Sequence, residues 1–237
     1  MTKSTVKEKL NFSDLKDAKN QQLWWDAETR ECNHCYKIPG YNLPPNFINL
    51  LHFRRQPMQC VDIGANVGTF AAYASPFFSN IYSIEAATRT YNAAVKNLSS
   101  YSNVTVDHLA AWATCNHEIA IYKNESDLSG DSSCYLSTST LQHESESVKT
   151  ISLPGVYERY NIDYIDYLKV DCEGAEYDFL IDQDLSKINF LVMEIHPGYL
   201  GPEKTKDLLQ YLEKYFNKEF MVGEHILFYH SKKNNAT

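Results

Sequence analysis

The sequence predicts one doubly wound α/β domain, with a mostly parallel sheet that is covered by helices on both faces. Short apolar segments typical of buried strands alternate with stretches of helical periodicity, and this alternation predicts parallel pairing. The main strand candidates are 60–63, 81–84, 104–109, 167–170 and 190–195. Two more apolar segments, at 220–222 and 226–229, predict a closing hairpin.

Helices are predicted in the intervals between these strands. The candidates are 67–75, 88–98, a helix from about residue 175, and 203–216. The last has one apolar face, formed by Leu208, Leu209, Leu212, Tyr215 and Phe216. A lesser strand is predicted at 119–122, and the polar, Ser-rich segment 123–147 is typical of a loop.

Residues 1–55 differ from the rest of the chain, because the strand and helix alternation begins only near Met58. They contain a polar opening of helical character and then a loop with several prolines. We expect this segment to be a helical and loop extension that packs on the main domain, 56–237. The adjacent Trp24 and Trp25 are the residues expected to anchor it, and lining a substrate cleft is the alternative role for them.

The chain is acidic, with a formal net charge of −8 at pH 7. An acidic chain without a basic stripe disfavours nucleic acid as the main partner, because phosphate contacts dominate that affinity. No run of about 18 or more apolar residues occurs, so no membrane span is expected, and no secretory signal is visible. These patterns predict a cytoplasmic protein and leave its oligomeric state open.

The most informative segment is the strand and turn that contain Asp62, Gly64, Asn66 and Gly68. The glycines allow the backbone to turn sharply into a helix and a ligand to approach closely. The spacing Asp-x-Gly-x-x-x-Gly differs from the Gly-x-Gly-x-x-Gly that binds a pyrophosphate. An acid beside the turn suits a cationic ligand such as S-adenosylmethionine, and we expect these four residues to bind that cofactor.

A second acid, Glu85, ends the next strand and lies 21 residues after Gly64. An acid at the tip of the neighbouring strand is placed to bind both hydroxyls of a ribose. We expect the backbone around Ala111 to lie near the adenine, and Asp131 and Ser132 to cover the base. NAD-binding folds share such an acid, so Glu85 does not distinguish S-adenosylmethionine from NAD. That distinction depends on the turn that contains Gly64 and Gly68.

Four segments of the chain resemble the FkbM-type methyltransferase family. They are 61–68, 83–86, 168–176 and 192–196, and their order and spacing match the family over roughly residues 58–200. The most specific is the Asp-x-Glu-Gly-Ala-Glu stretch that begins at Asp171. The resemblance implies the class I methyltransferase (Rossmann-like) fold, with a seven-stranded sheet that contains one antiparallel strand.

The resemblance also implies O-methylation, often of sugars or of natural-product hydroxyls. We therefore expect an S-adenosylmethionine-dependent O-methyltransferase whose partner is a small-molecule carbohydrate. A nucleotide-activated sugar or a cell-surface glycan precursor, in polysaccharide biosynthesis, would be such an acceptor. Three alternatives stay open: a non-sugar hydroxyl acceptor, an NAD-dependent oxidoreductase that the first turn disfavours, and a noncatalytic module that retains the fold.

The candidate catalytic residues lie at the ends of two neighbouring strands. Asp171 and Glu173 follow the strand 167–170, whereas Glu194 and His196 end the strand 190–195. Ligands of open α/β sheets bind outside the carboxyl ends of the strands, so these four side chains should meet there. We expect His196 to act as general base, Asp171 and Glu173 to position the acceptor or the cofactor, and Glu194 to orient His196.

The same residues could bind a divalent metal, because carboxylates with an imidazole suit Mg²⁺ or Mn²⁺. His225, from the closing hairpin, could join them. The metal ligands stay unknown at this point, since the sequence does not choose between an ion and a base.

Overall fold

The computed structural model describes residues 58–122, 133, 145–222 and 226–231. The strands, in chain order, are β1 (Gln59–Ile63), β2 (Asn80–Glu85), β3 (Val104–His108), β4 (Ala110–Ala111), β5 (Glu118–Tyr122), β6 (Ser145–Ile151), β7 (Ile165–Val170), β8 (Ile188–Glu194), β9 (Phe216–Val222) and β10 (Ile226–Ser231). The helices are α1 (Thr69–Ala74), α2 (Thr88–Leu98), α3 (Leu153–Tyr160), α4 (Glu176–Leu180) and α5 (Pro197–Leu212).

A seven-stranded sheet has the strand order β3-β2-β1-β7-β8-β10-β9. Its first five strands pair in parallel, whereas β10 pairs antiparallel with both β8 and β9. The predicted doubly wound sheet with one antiparallel strand is confirmed, and so is the closing hairpin. In this order β1 lies between β2 and β7, so the carboxyl ends of β1, β2, β7 and β8 meet at one edge of the sheet.

The central strands are buried on both faces, as expected for a parallel sheet covered by helices. Every residue of β1 and of β7 is buried. Alternate residues contribute to two apolar clusters. Val61 and Leu168 belong to one cluster, whereas Cys60 and Tyr167 belong to the other. The near-continuous apolar character of these strands in the sequence therefore has a direct structural cause.

A small second sheet, in the order β4-β6-β5, lies outside the main sheet. The predicted lesser strand 119–122 is present as β5, but β6 and α3 were not predicted. In β6 the residues alternate between exposed and buried up to Thr150, so no apolar run marks it. The start of α3 contains Pro154 and Gly155, a pair that is typical of a turn. Ser152 caps this helix by accepting a hydrogen bond from the Gly155 amide at 3.3 Å.

The predicted helix 203–216 was wrong at both ends. The observed α5 begins at Pro197, contains a break at Gly201 with φ 74° and ψ 166°, and ends at Leu212. Phe216 is the first residue of β9 and is buried in the core, 1 % exposed. Phe216 is apolar because it packs in the core as a strand residue. Its spacing from the apolar residues of α5 matches the helical period only by coincidence.

Several predictions concern residues outside the described ranges. The N-terminal extension 1–55 with its two tryptophans is one, and Asp131, Ser132 and His225 are others. Within the described part of the chain, none of the helices combines the length and the apolar character that crossing a membrane requires.

Candidate active site

The turn between β1 and α1, residues 64–68, is named here the cofactor turn. Gly64 has a φ of 74°, and a Cβ at this position would overlap the carbonyl oxygen of Asp171. Gly68 has a φ of 87°, and its Cβ would lie 2.6 Å from the Leu98 side chain. Only glycine combines the left-handed backbone with this close approach, so both predicted glycines are structurally required. Cofactor binding by Gly64 and Gly68 stays a prediction.

Glu85, at the carboxyl end of β2, braces the cofactor turn. Its Oε2 accepts a hydrogen bond from the Asn66 amide at 2.8 Å. Its Oε1 accepts from the Ala87 amide at 2.9 Å and from the Thr90 hydroxyl at 2.8 Å. Burial raises the pKa of Glu85, whereas these hydrogen bonds favour its charged form. The structure thus joins three predicted cofactor residues, Gly64, Asn66 and Glu85, at one edge of the sheet.

Asp62 is fully buried and faces a cation of the protein itself. The Lys169 Nζ lies 3.2 Å from Asp62 Oδ1, and the Ser83 hydroxyl donates to Asp62 Oδ2 at 3.4 Å. Burial raises the pKa of Asp62, and Lys169 opposes that change. Lys169 therefore already places a positive charge beside Asp62. A role for Asp62 in cofactor binding stays a prediction.

The predicted catalytic residues meet in what we name the strand-end cluster, formed by Asp171, Glu173, Glu176, Glu194 and His196. Asp171 follows β7, whereas Glu194 ends β8 and His196 precedes α5. The His196 Nε2 lies 3.3 Å from Glu173 Oε2 and 4.0 Å from both Asp171 Oδ1 and Glu194 Oε1. The other three residues singled out in the sequence therefore all have a carboxylate oxygen within 4.0 Å of His196 Nε2.

Glu176, the fifth member, was missed as a site residue. It is fully buried, and its Oε1 lies 2.8 Å from His196 Nδ1 while accepting hydrogen bonds from the amides of Gly174 and Cys172. Among the described residues its Oε2 has no hydrogen-bond partner. Glu176, and not Glu194, therefore makes the hydrogen bond that orients His196. Its place in the Asp-x-Glu-Gly-Ala-Glu stretch was the signal that could have identified it.

The carboxylates change the protonation of His196. Burial opposes the charged imidazole, but the hydrogen bond that His196 donates to Glu176 and the charges of Glu176, Glu173 and Asp171 raise the pKa of His196 to about 9. At neutral pH most of the His196 population is therefore protonated. The neutral ring is the minor form, and it is a stronger base than an ordinary histidine.

Three of these groups could also hold a divalent cation. Ligand atoms of Asp171, Glu173 and His196 all lie within 4.8 Å of one another. Two carboxylates and an imidazole suit Mg²⁺ or Mn²⁺. Histidines that bind a metal commonly donate a hydrogen bond from their other ring nitrogen to a carboxylate, and Glu176 is in that position here. The residues present therefore fit such an ion, which would compete with a proton for His196.

The neighbourhood of the predicted adenine residues is only partly described. Ala111 belongs to β4 and is buried beside β6, and the Leu109 amide donates to the Glu85 carbonyl at 3.2 Å. Ser133, next to the undescribed Asp131 and Ser132, donates its hydroxyl to the Glu173 carbonyl at 2.5 Å. Ser133 therefore contacts the backbone of the strand-end cluster, while contacts with adenine stay predictions.

The sheet order is that of a Rossmann-like fold, and a comparison with known families gives the class of the protein, a methyltransferase. The family described as the methyltransferase FkbM domain matches residues 62–219, which is more than half of the chain. The chain belongs to this family and is a methyltransferase that uses S-adenosylmethionine. The match includes both the cofactor turn and the strand-end cluster.

The chain is also similar to a number of solved structures, including the following three. TrmK of M. capricolum, solved with S-adenosylhomocysteine, is 12 % identical, with 80 % of this chain and 69 % of that one covered and a TM-score of 0.40. Aeropyrum pernix fibrillarin with bound S-adenosylmethionine is 14 % identical over 81 % and 75 %, with a TM-score of 0.43. An rRNA methylase from Streptococcus thermophilus is 9 % identical over 77 % and 91 %, with a TM-score of 0.46. Likeness at this level carries no conclusion about the acceptor.

A search of curated proteins found no significant match to the chain.

Proposed function

We propose that this protein transfers the methyl group of S-adenosylmethionine to a hydroxyl group of a sugar. The observation that carries the proposal is the position of His196, whose Nε2 faces part-exposed carboxylates at the same sheet edge as the cofactor turn. A hydroxyl is a poor nucleophile and needs a group that removes its proton. The imidazole of His196, which the buried Glu176 carboxylate orients, lies at the sheet edge where we expect the methyl group to be delivered, and it meets that need.

The charge of the site suits a cationic cofactor. Six carboxylates line this sheet edge within the described residues, against the cations Lys169 and, when protonated, His196. The six are Asp62, Glu85, Asp171, Glu173, Glu176 and Glu194. Such a surplus attracts the sulfonium of S-adenosylmethionine and repels a pyrophosphate, which supports this cofactor over a nicotinamide dinucleotide.

The proposed chemistry is an in-line displacement. The acceptor oxygen forms a bond to the methyl carbon as the bond from carbon to sulfur breaks, which leaves S-adenosylhomocysteine. The hydroxyl proton moves to Nε2 of neutral His196, and Glu176 stabilises the resulting imidazolium through Nδ1. Asp171, Glu173 and Glu194 are placed to accept hydrogen bonds from neighbouring hydroxyls and so to orient a sugar.

A sugar acceptor is supported by the family resemblance and by the part-exposed carboxylates of the strand-end cluster, which can accept hydrogen bonds from sugar hydroxyls. Nucleotide-activated sugars and glycan precursors are the acceptors that we expect, with any phosphate held away from the acidic sheet edge. A natural-product hydroxyl is the alternative acceptor, and a noncatalytic module with the same fold is the alternative function. A cytoplasmic location stays a prediction.

The test is methyl transfer from radiolabelled S-adenosylmethionine to a panel of neutral sugars, nucleotide sugars and polyphenols, with RNA as a further acceptor. We expect a labelled methyl ether on a carbohydrate and release of S-adenosylhomocysteine in equal amount. The variant His196→Ala should lose at least about a hundredfold in turnover while it binds S-adenosylhomocysteine as the wild type does. Transfer to RNA or to polyphenols alone would overturn the sugar assignment.

A metal-assisted version of the same reaction is favoured by the close approach of Asp171, Glu173 and His196. When bound there, a divalent ion would lower the pKa of the acceptor hydroxyl. Activity that EDTA abolishes and Mn²⁺ or Mg²⁺ restores would support this version. Equal activity in EDTA and in added metal would support His196 as the base.

A further inference from the structure

Lys169 is a charged residue in the middle of the most buried part of the sheet. It belongs to β7, where every residue is buried, and it pairs in register with Asp62 of β1. Its own exposure is 5 %, and its ammonium lies 5.8 Å from the ring centroid of Phe70. A lysine is rarely buried to this extent unless several partners compensate its charge.

The partners of Lys169 come from both functional regions. Its Nζ donates a hydrogen bond to the Gly64 carbonyl in the cofactor turn at 3.0 Å. It lies 3.2 Å from Asp62 Oδ1 and 3.6 Å from Asp171 Oδ2. One ammonium group thus contacts the turn expected to hold the methyl donor and a carboxylate of the strand-end cluster.

The backbone reinforces this connection. The Asp171 amide donates to the Ile63 carbonyl at 3.1 Å, and the Asp171 carbonyl lies where a Cβ of residue 64 would be. The other carboxylate oxygen of Asp171 lies 4.0 Å from His196 Nε2. Asp171 is therefore placed between Lys169 and His196, with one oxygen toward each cation.

We propose that Lys169 is a positioning residue that couples the cofactor turn to Asp171, so that the methyl donor and the acceptor-binding carboxylates keep a constant separation. The proposal extends the proposed function and rests on it for its catalytic consequence. A purely structural lysine would be replaceable, because exchanging both members of a buried ion pair for neutral residues is often neutral for stability. The coupling would be lost in the same exchange.

The test is a double-mutant cycle between Lys169 and Asp171 in an Asp62→Asn background. That background removes the buried carboxylate which Lys169→Met alone would leave unpaired. The four proteins are Asp62→Asn, Asp62→Asn with Lys169→Met, Asp62→Asn with Asp171→Asn, and the triple variant. The primary measurement is the Kd of S-adenosylhomocysteine by calorimetry, which needs no acceptor, and thermal unfolding checks that each variant is folded.

We expect Lys169→Met and Asp171→Asn each to weaken S-adenosylhomocysteine binding by about five- to tenfold, and the triple variant to bind no more weakly than the weaker of the two. Lys169→Met should also lower kcat by about tenfold when Asp171 is present, and by less than twofold when residue 171 is asparagine. Thermal midpoints of the Asp62→Asn protein and of its Lys169→Met derivative should be similar.

Independent effects that multiply in the triple variant would overturn the coupling. An unchanged Kd and kcat in the Lys169→Met derivative would overturn it equally. Assaying sugar methylation by the wild-type protein distinguishes failure of the coupling from failure of the proposed function. If it methylates no sugar while the cycle in Kd is non-additive, the sugar methyltransferase proposal fails and the coupling stands.

Discussion

The Nδ1 atom of His196 lies 2.8 Å from Oε1 of Glu176, whose side chain is fully buried. This contact fixes one nitrogen of the imidazole and leaves Nε2 directed to the part-exposed carboxylates of the strand-end cluster. A carboxylate on the far nitrogen stabilises the protonated ring, as in other acid–base sites that orient a histidine.

Glu176→Gln should lower the pKa of His196, because an amide keeps a hydrogen-bond acceptor but removes the largest favourable interaction with the imidazolium. The pH at which turnover reaches its plateau should fall by about one unit. The pH profile of kcat for the wild type and the variant measures this shift. Glu203→Gln, on the exposed surface of α5, is the matched control. Identical profiles for the wild type and Glu176→Gln would contradict the assigned role.

The turnover of the wild type should rise with pH from neutrality, reach half its maximum near pH 9 and level off above that pH, because the neutral ring of His196 is the proton acceptor. The stability should change in the opposite direction. A histidine whose folded pKa exceeds its unfolded value stabilises the protein below about pH 6.5, and this contribution is lost as the pH rises through about 9.

Urea unfolding at pH 6.5 and pH 9.5 measures this second effect, which should not exceed about 3 kcal/mol. His196→Ala removes the titrating group and should flatten that part of the profile. A wild type whose turnover is independent of pH between 7 and 9 would argue against His196 as the base.

Glu85→Gln should weaken S-adenosylhomocysteine binding by about tenfold or more, because the charged acceptor expected for the ribose hydroxyls is lost. The amide can still accept from one or more of the donors that Glu85 now serves, so the variant should remain folded. Calorimetry measures the affinity, with Glu158→Gln as an exposed control on α3. Equal affinity in the wild type and Glu85→Gln would remove Glu85 from the cofactor site.

Gly64→Ala should destabilise the protein severely. A left-handed backbone costs a residue with a Cβ roughly 1–2 kcal/mol, and here the Cβ also overlaps the Asp171 carbonyl, so the total loss should exceed about 4 kcal/mol. Gly198→Ala is the matched control, because no atom lies within 4 Å of a Cβ at that position. Urea unfolding compares the two variants. Similar losses in both would show that the close approach at Gly64 is not as described.

The sheet could be predicted from the sequence because its central strands are buried on both faces. The segments that form β1, β2, β7 and β8 are mostly apolar, which predicts buried parallel strands. The carboxyl ends of parallel strands lie at the same edge of a sheet, so the position of the site followed. β6 could not be predicted in this way, since its polar and apolar residues alternate at the surface of a small sheet. The pair Pro154–Gly155 concealed α3, because those residues are common in turns and are also tolerated in a first helical turn.

The candidate site was predictable where chemistry and strand ends coincide, as for Asp171, Glu173, Glu194 and His196. Lys169 and Glu176 were not singled out, because one lies within an apolar strand and the other begins a helix. Their importance depends on burial and on distances to Asp62 and His196, which only the tertiary structure provides. A charged residue within a buried strand is nevertheless a sequence signal that a partner exists.

The most direct test of the central claim is a crystal structure of the protein with S-adenosylhomocysteine. The account predicts that its sulfur and amino-acid portion lie against residues 64–68 and that both ribose hydroxyls contact Glu85, with the strand-end cluster beside the sulfur. A ligand bound elsewhere, or a cofactor turn that instead accepts the pyrophosphate of NADH, would contradict it.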